Sequence, residues 1–160
     1  MNSYSETTSL SSAWGRIFFT YGAYEYPNRL VPSVILSLLK GEPARCSHGN
    51  QIRDFLYVQD VADAFVALLE SEVTGAVNIG SGQAIAIKDV VYKIADVIGR
   101  SDLVHLGAIP SAPKETPLLV ADVTRLSNEV GWLPKFSLEI GLKQAIIWWN
   151  SSSSTGLKIE

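Results

Sequence analysis

Cysteine is nearly missing from this chain: Cys46 is the one instance in 160 residues, beside two histidines and one methionine. A single thiol excludes an intrachain disulfide and any multi-cysteine zinc site. His48 and His105 lie far apart with no second ligand type at metal-binding spacing, so no metal is expected. Charge is also sparse, at 18% of residues, with 13 Lys+Arg against 16 Asp+Glu for a net charge of −3. Without a basic excess the chain has no general means of displacing counterions from nucleic acid, and no such partner is expected. No apolar run reaches membrane-spanning length, so no membrane partner is expected, and the first residues do not pattern as a signal peptide. With the lone thiol, this points to a cytoplasmic setting. Neither Cys46 nor any serine sits in a nucleophile elbow, and a small buried thiol is the plainer reading of Cys46.

What the chain does have is 47% hydrophobic residues, enough to build one core at this length. Residues 1–12 and 150–160 are polar and Ser/Thr-rich and read as a flexible leader and tail around a single unit, 13–149. Gly15 to Tyr21 is short, aromatic and almost continuous, which predicts a strand buried on both faces. Leu30, Val31, Val34, Ile35, Leu38 and Leu39 recur at helical spacing, and Phe55 to Val58 reads as a short strand. Asp60 is placed to N-cap a helix carrying Val61, Ala64, Phe65, Leu68 and Leu69. Ala76 to Ile79 is a strand, Ile87 to Ile98 a helix, and Leu103 to Leu119 a proline-bearing loop. Asp122 and Ser137 are placed to cap two further helices. Strands alternating with helices give an α/β class.

Two features bear on chemistry. Gly80-Ser81-Gly82 follows a strand, as a dinucleotide-binding turn does, but Ile85 stands where the third glycine belongs. A structural turn is the favoured reading. Arg29, Arg45 and Arg53 are either solvated charges, Arg53 pairing locally with Asp54, or guanidiniums converging as a bidentate phosphate clamp; residue types alone leave both open.

The run from Arg53 to Ala64, RDFLYVQDVADA, resembles the Arg-Asp-Phe-x-Tyr-Val-x-Asp-Val-Ala-x-Ala signature of the extended short-chain dehydrogenase/reductases, the NAD(P)-dependent epimerases, dehydratases and reductases of nucleotide sugars. In family order come the Tyr21-Gly22 strand end, Asn78-Ile79-Gly80-Ser81-Gly82, Ala121-Asp122-Val123, Gly131-Trp132-Leu133-Pro134 and Trp148-Trp149. The resemblance implies the C-terminal, substrate-binding portion of an extended Rossmann-type enzyme, with two strands of the parallel sheet and a small α/β lobe. It implies a nucleoside-diphosphate sugar as partner. Arg29, Arg53 and Asn78 would contact its phosphates or ribose, with Asn28 beside them. Ala44 to Cys46 would line the base, and Phe19 stands where many members carry asparagine near the phosphates. The family uses NAD or NADP, yet this chain has no Gly-x-x-Gly-x-x-Gly loop and no tyrosine followed by lysine four residues on. It is therefore expected to bind no cofactor tightly and to be inactive alone. A non-catalytic nucleotide-sugar-binding or partner-binding lobe is the alternative. Strands left without neighbours predict a homo-oligomer, or pairing with a chain that supplies the cofactor-binding half.

Overall fold

A computed structural model describes residues 7, 10–111 and 114–154. Nine short strands and five α-helices alternate along them: β1 (Ala13–Ile17), β2 (Phe19–Tyr21), α1 (Leu30–Leu39), β3 (Ala44–Arg45), β4 (Ile52–Arg53), β5 (Phe55–Tyr57), α2 (Val58–Glu70), β6 (Gly75–Ile79), β7 (Ile85–Ala86), α3 (Ile87–Ile98), β8 (Val104–His105), β9 (Leu118–Leu119), α4 (Thr124–Asn128) and α5 (Leu138–Ser154). The pairing is mostly parallel, which the long crossovers through helices permit. β1 runs beside β6, Ala13 opposite Gly75 through Ile17 opposite Ile79, and β2 runs beside β5. β3 pairs with β8, while β4 sits between antiparallel β7 and parallel β9.

Two cores result. One lies where α1, α3 and α5 meet, around Ile35, Leu38, Val91, Ile94, Leu142 and Trp149. The other packs α2 and α4 against the β1–β6 pair through Ala64, Leu68, Val77, Ile79 and Leu126. Each fully buried aliphatic side chain contributes about 1.5–3 kcal/mol, so these stripes outweigh local propensity in fixing the helices. Close approaches depend on missing Cβ atoms. The Phe65 ring fills the space over Gly15, and the Tyr21 hydroxyl, which donates to Leu138 O at 3.3 Å, fills that over Gly141.

The structure departs from the sequence reading in several places. Gly15 to Tyr21 is two strands broken at Phe18, and β1 is not buried on both faces: Trp14 is 57% and Ile17 52% exposed. A continuous apolar run implies two covering layers, and among the described residues β1 has one. Asp60 does not cap its helix, which begins two residues earlier at Val58; its buried carboxylate instead accepts the Lys135 and Phe136 amides, both at 3.1 Å. The long loop carries β8 and β9, because each two-residue stretch finds a partner strand far away in sequence. The last helix continues to Ser154, past the expected tail boundary, with Ser151 Oγ donating to Ile147 O at 2.9 Å. Most of the expected leader lies outside the described residues, but its end is tied down, since Ser12 O accepts the Gly75 amide at 3.0 Å. Among the described residues no helix is long and apolar enough to cross a membrane.

Candidate functional site

Strand alternation turns Arg53 and Asp54 into different regions. The Asp54 carboxylate is fully buried and saturated with donors. Oδ1 accepts the Ser81 amide at 2.8 Å and the Ser81 hydroxyl at 2.6 Å; Oδ2 accepts the Gly82 amide at 2.9 Å and the Ala121 amide at 3.1 Å. The Gly-Ser-Gly turn is thus an anion nest filled from within the chain. A side chain at Gly80 would run into Ala121 Cβ at 2.6 Å and Asp54 Oδ2 at 2.8 Å, which explains the glycine without invoking a ligand. Tested against a dinucleotide, this turn does not fit: its amides are already committed. Among the described residues, no group of three or more His, Cys, Asp or Glu could hold a metal ion.

Arg53 faces the other way, into a cleft of about 330 Å³ between β2, the β2–α1 turn, β4 and the segment before β9. It is 4% exposed. Its Nη1 donates to Ile52 O at 2.8 Å and its Nη2 to Glu115 Oε1 at 3.0 Å, and its guanidinium lies over the Phe19 ring, 5.5 Å from the centroid. Phe19 is itself fixed against Phe55, with ring centroids 5.9 Å apart. The second Glu115 oxygen accepts from Gln51 Nε2 at 2.6 Å. A buried guanidinium and an amide thus grip the two oxygens of one carboxylate, the arrangement with which such groups hold any planar or tetrahedral oxyanion.

Arg29 and Asn28 line the same cleft from the turn that leads into α1. Arg29 is the residue just before the helix; its side chain is 60% exposed, and its Nε lies 3.7 Å from Glu25 Oε1. Asn28 donates to the Tyr26 hydroxyl at 3.2 Å. Glu25 has 16% of its side chain exposed, and its Oε2 is out of water with no hydrogen-bond partner. Burial pushes the Glu25 carboxyl up to about 7, with the nearby Arg29 charge opposing.

Of the residues singled out in the sequence, the structure brings Phe19, Asn28, Arg29 and Arg53 together around this cleft. It does not bring Asn78 or Cys46 there. Asn78 lies on β6 opposite Arg16 and donates to Asp122 O at 2.9 Å, which ties the segment before α4 to β6. Cys46 is packed in the core between the helices, where burial raises its thiol pKa. Arg45 is exposed and reaches Ala108 O at 3.3 Å. Sequence reading missed Glu25, Gln51 and Glu115. Glu25 precedes Arg29 by four residues, a spacing that reads as an exposed ion pair. Glu115 is 62 positions from Arg53, and no local pattern connects them.

The model of the NAD dependent epimerase/dehydratase family matches residues 1–80, half of the chain. The chain belongs to this family. It is 31% identical over 137 residues to the dTDP-glucose 4,6-dehydratase of Salmonella typhimurium, covering 81% of this chain and 38% of that protein. It is 39% identical over 103 residues to GDP-L-fucose synthase 1 of Arabidopsis thaliana, covering 63% of this chain and 31% of that one. The fold matches the UDP-N-acetylglucosamine 4-epimerase of Methanobrevibacter ruminantium M1, solved in complex with UDP-N-acetylmuramic acid. The TM-score is 0.86 at 26% identity, over 94% of this chain and 50% of that chain. This member of the epimerase/dehydratase family therefore shares the Rossmann-type α/β architecture and spans half or less of these relatives' lengths.

Proposed function

We propose that this chain is the substrate-binding portion of an NAD(P)-dependent nucleotide-sugar epimerase, dehydratase or reductase, and that the Arg53 cleft receives the diphosphate of the sugar nucleotide. The observation that carries this is the buried Arg53 guanidinium, fixed over Phe19 and already gripping an oxyanion, with Arg29 on the cleft's outer side. A diphosphate entering the cleft would take the place of the Glu115 carboxylate on Arg53 and Gln51 and draw Arg29 inward. Membership of the family, and the UDP-sugar held by a relative of the same fold, favour a nucleotide sugar over other diphosphates.

The sequence carries no Tyr-x-x-x-Lys pair, so no residue here can serve as that family's proton-transferring tyrosine. The Gly80–Gly82 turn is filled by Asp54. On both grounds the chain binds without turning over, and NAD or NADP is held by a cofactor-binding half. Trp14, Ile17 and Leu69 leave an apolar face open beside β1 and α2, suited to cover by that half or by a second copy of the chain. Light scattering at micromolar concentration is expected to show a species larger than 17.4 kDa; a monodisperse, cooperatively unfolding monomer overturns the association.

Calorimetric titration with UDP-, CDP-, dTDP- and GDP-glucose tests the binding reading. At least one is expected to bind, more weakly at high salt, with Arg53→Ala reducing its affinity. Absence of binding by all four overturns it.

A further inference from the structure

We propose that Glu25 is a substrate-binding residue that works in its acid form, donating a hydrogen bond to a phosphate oxygen of the ligand held by Arg29 and Arg53. This deepens the diphosphate reading of the cleft and rests on it. The cleft presents two guanidiniums and two carboxyls, Arg29 and Arg53 against Glu25 and Glu115, and its other lining side chains are uncharged. With both carboxyls ionised the four charges cancel, which is a poor receptor for an anion. The two acids are not equivalent. Glu115 is supplied with donors on both oxygens, from Arg53 and Gln51. Glu25 has one oxygen 3.7 Å from Arg29 Nε, outside close hydrogen-bond range, and the other dry and unpartnered.

An ionised carboxylate in that position bears an unsatisfied, desolvated charge, whereas the neutral acid bears only a weak acceptor there. Burial favours the acid form up to about pH 7. Protonation also changes what Glu25 offers a ligand. The carboxylate repels phosphate; the acid removes one negative charge from the cleft and adds a donor to those of the two guanidiniums. Arg29 from the same turn, Arg53 from β4 and Glu115 from the segment before β9 are the charged groups that share the cleft with it. A phosphate arriving beside Glu25 holds the proton there more firmly, so binding and protonation are linked.

The test is the pH dependence of affinity for the tightest of the four nucleotide glucoses, whose phosphodiester charges do not titrate near neutrality. The intact chain is expected to lose about tenfold in affinity between about pH 6 and about pH 8, and to take up protons on binding near neutral pH. Glu25→Gln, an amide that donates at every pH, is expected to keep the acid-form affinity with a flat profile. Glu25→Ala is also expected to be flat, but about tenfold weaker than Glu25→Gln. A flat profile in the intact chain overturns the proposal while leaving the cleft's diphosphate role standing. So does a fall with pH that survives Glu25→Gln but disappears in Glu115→Gln. Equal affinity of the Ala and Gln variants also overturns it, because removal of charge would then suffice without donation. Absence of binding by every nucleotide glucose at about pH 6 overturns both readings.

Discussion

Arg53 and Asp54 are neighbours in sequence, and the regions they enter are built on opposite terms. Around Asp54 every carboxylate oxygen has its donors, four in all, drawn from residues 81, 82 and 121. Around Arg53 the account does not balance. Glu25 Oε2 and Gln51 Oε1 are buried without partners, and Arg29 extends into solvent. A saturated polar knot pins loops together and has no capacity left for a ligand. An unsaturated one costs stability and retains capacity. The difference teaches where to look for function in this chain: at the residue whose surroundings are incomplete.

The largest expected effect comes from breaking the complete side. Asp54→Ala removes a fully buried carboxylate and leaves the Ser81, Gly82 and Ala121 amides without their acceptor, the Ala121 amide out of reach of water. A loss of about 3–5 kcal/mol is expected, because several donors lose a charged acceptor at once at about 1–3 kcal/mol for each one left unsatisfied. Urea unfolding measures it, and a loss below about 1 kcal/mol would mean that water replaces the carboxylate and that the knot is not closed.

Next in size is the pH dependence of folding stability, which sharpens the contrast from the incomplete side. Glu25 titrates at about 7 in the fold against an ordinary 4.5, so the native chain holds this proton more tightly than the unfolded one. The contribution is therefore fully present below the ordinary value and is lost as pH rises through about 7. On the order of 2–3 kcal/mol is at stake by linkage. The stability of Glu25→Gln relative to the intact chain is expected to rise by that order between about pH 5 and about pH 8. Parallel curves for the two proteins would show that Glu25 is hydrated and ionised in the fold.

Arg53→Ala is expected to act mainly on binding, lowering nucleotide-sugar affinity by about tenfold to a hundredfold, as loss of a charge-assisted bidentate contact does. Arg29→Ala is expected to cost less, because its exposed side chain must be ordered on binding whereas Arg53 is already fixed over Phe19. Calorimetry on both variants ranks them. The reverse order would move the phosphate toward the mouth of the cleft.

How much of this was legible in the sequence depends on how far each contact reaches. The stripes in α1, α2 and α3 declare themselves over one helix, and Gly99 marks the end of α3, whereas the start of α2 at Val58 lies inside what reads as a strand. The Arg-Asp-Phe run points to the family and so to Arg53. The exposure of Trp14 and Ile17 was not legible: an apolar strand looks the same whether or not a second layer covers it. The task of Asp60 was hidden for a similar reason, since a helix-start aspartate ordinarily serves its own helix and this one serves residues 135 and 136. Glu25 escaped because burial, not residue type, makes it part of the cleft, and Glu115 because its partners Arg53 and Gln51 lie 62 and 64 positions away. Fold class is written in periods of two and 3.6; the site is written in contacts across tens of residues.

The smallest expected effect tests the one phosphate contact that family resemblance suggests and geometry does not support. Asn78 would reach the ligand if the resemblance carried over position by position. Its amide instead donates to Asp122 O at 2.9 Å, where Asp122 accepts the Thr124 amide at 3.0 Å and so starts α4. Asn78 is absent from the lining of the Arg53 cleft, and β4 pairs with β7 and β9 in a different sheet from the β1–β6 pair. Asn78→Ala is therefore expected to leave nucleotide-sugar affinity within about twofold while costing about 0.5–1.5 kcal/mol of stability, the worth of one hydrogen bond. Paired calorimetry and urea unfolding on the same preparation separate the two. Loss of affinity at unchanged stability would place part of the ligand along β6, and the cleft described here would then be half of a longer groove.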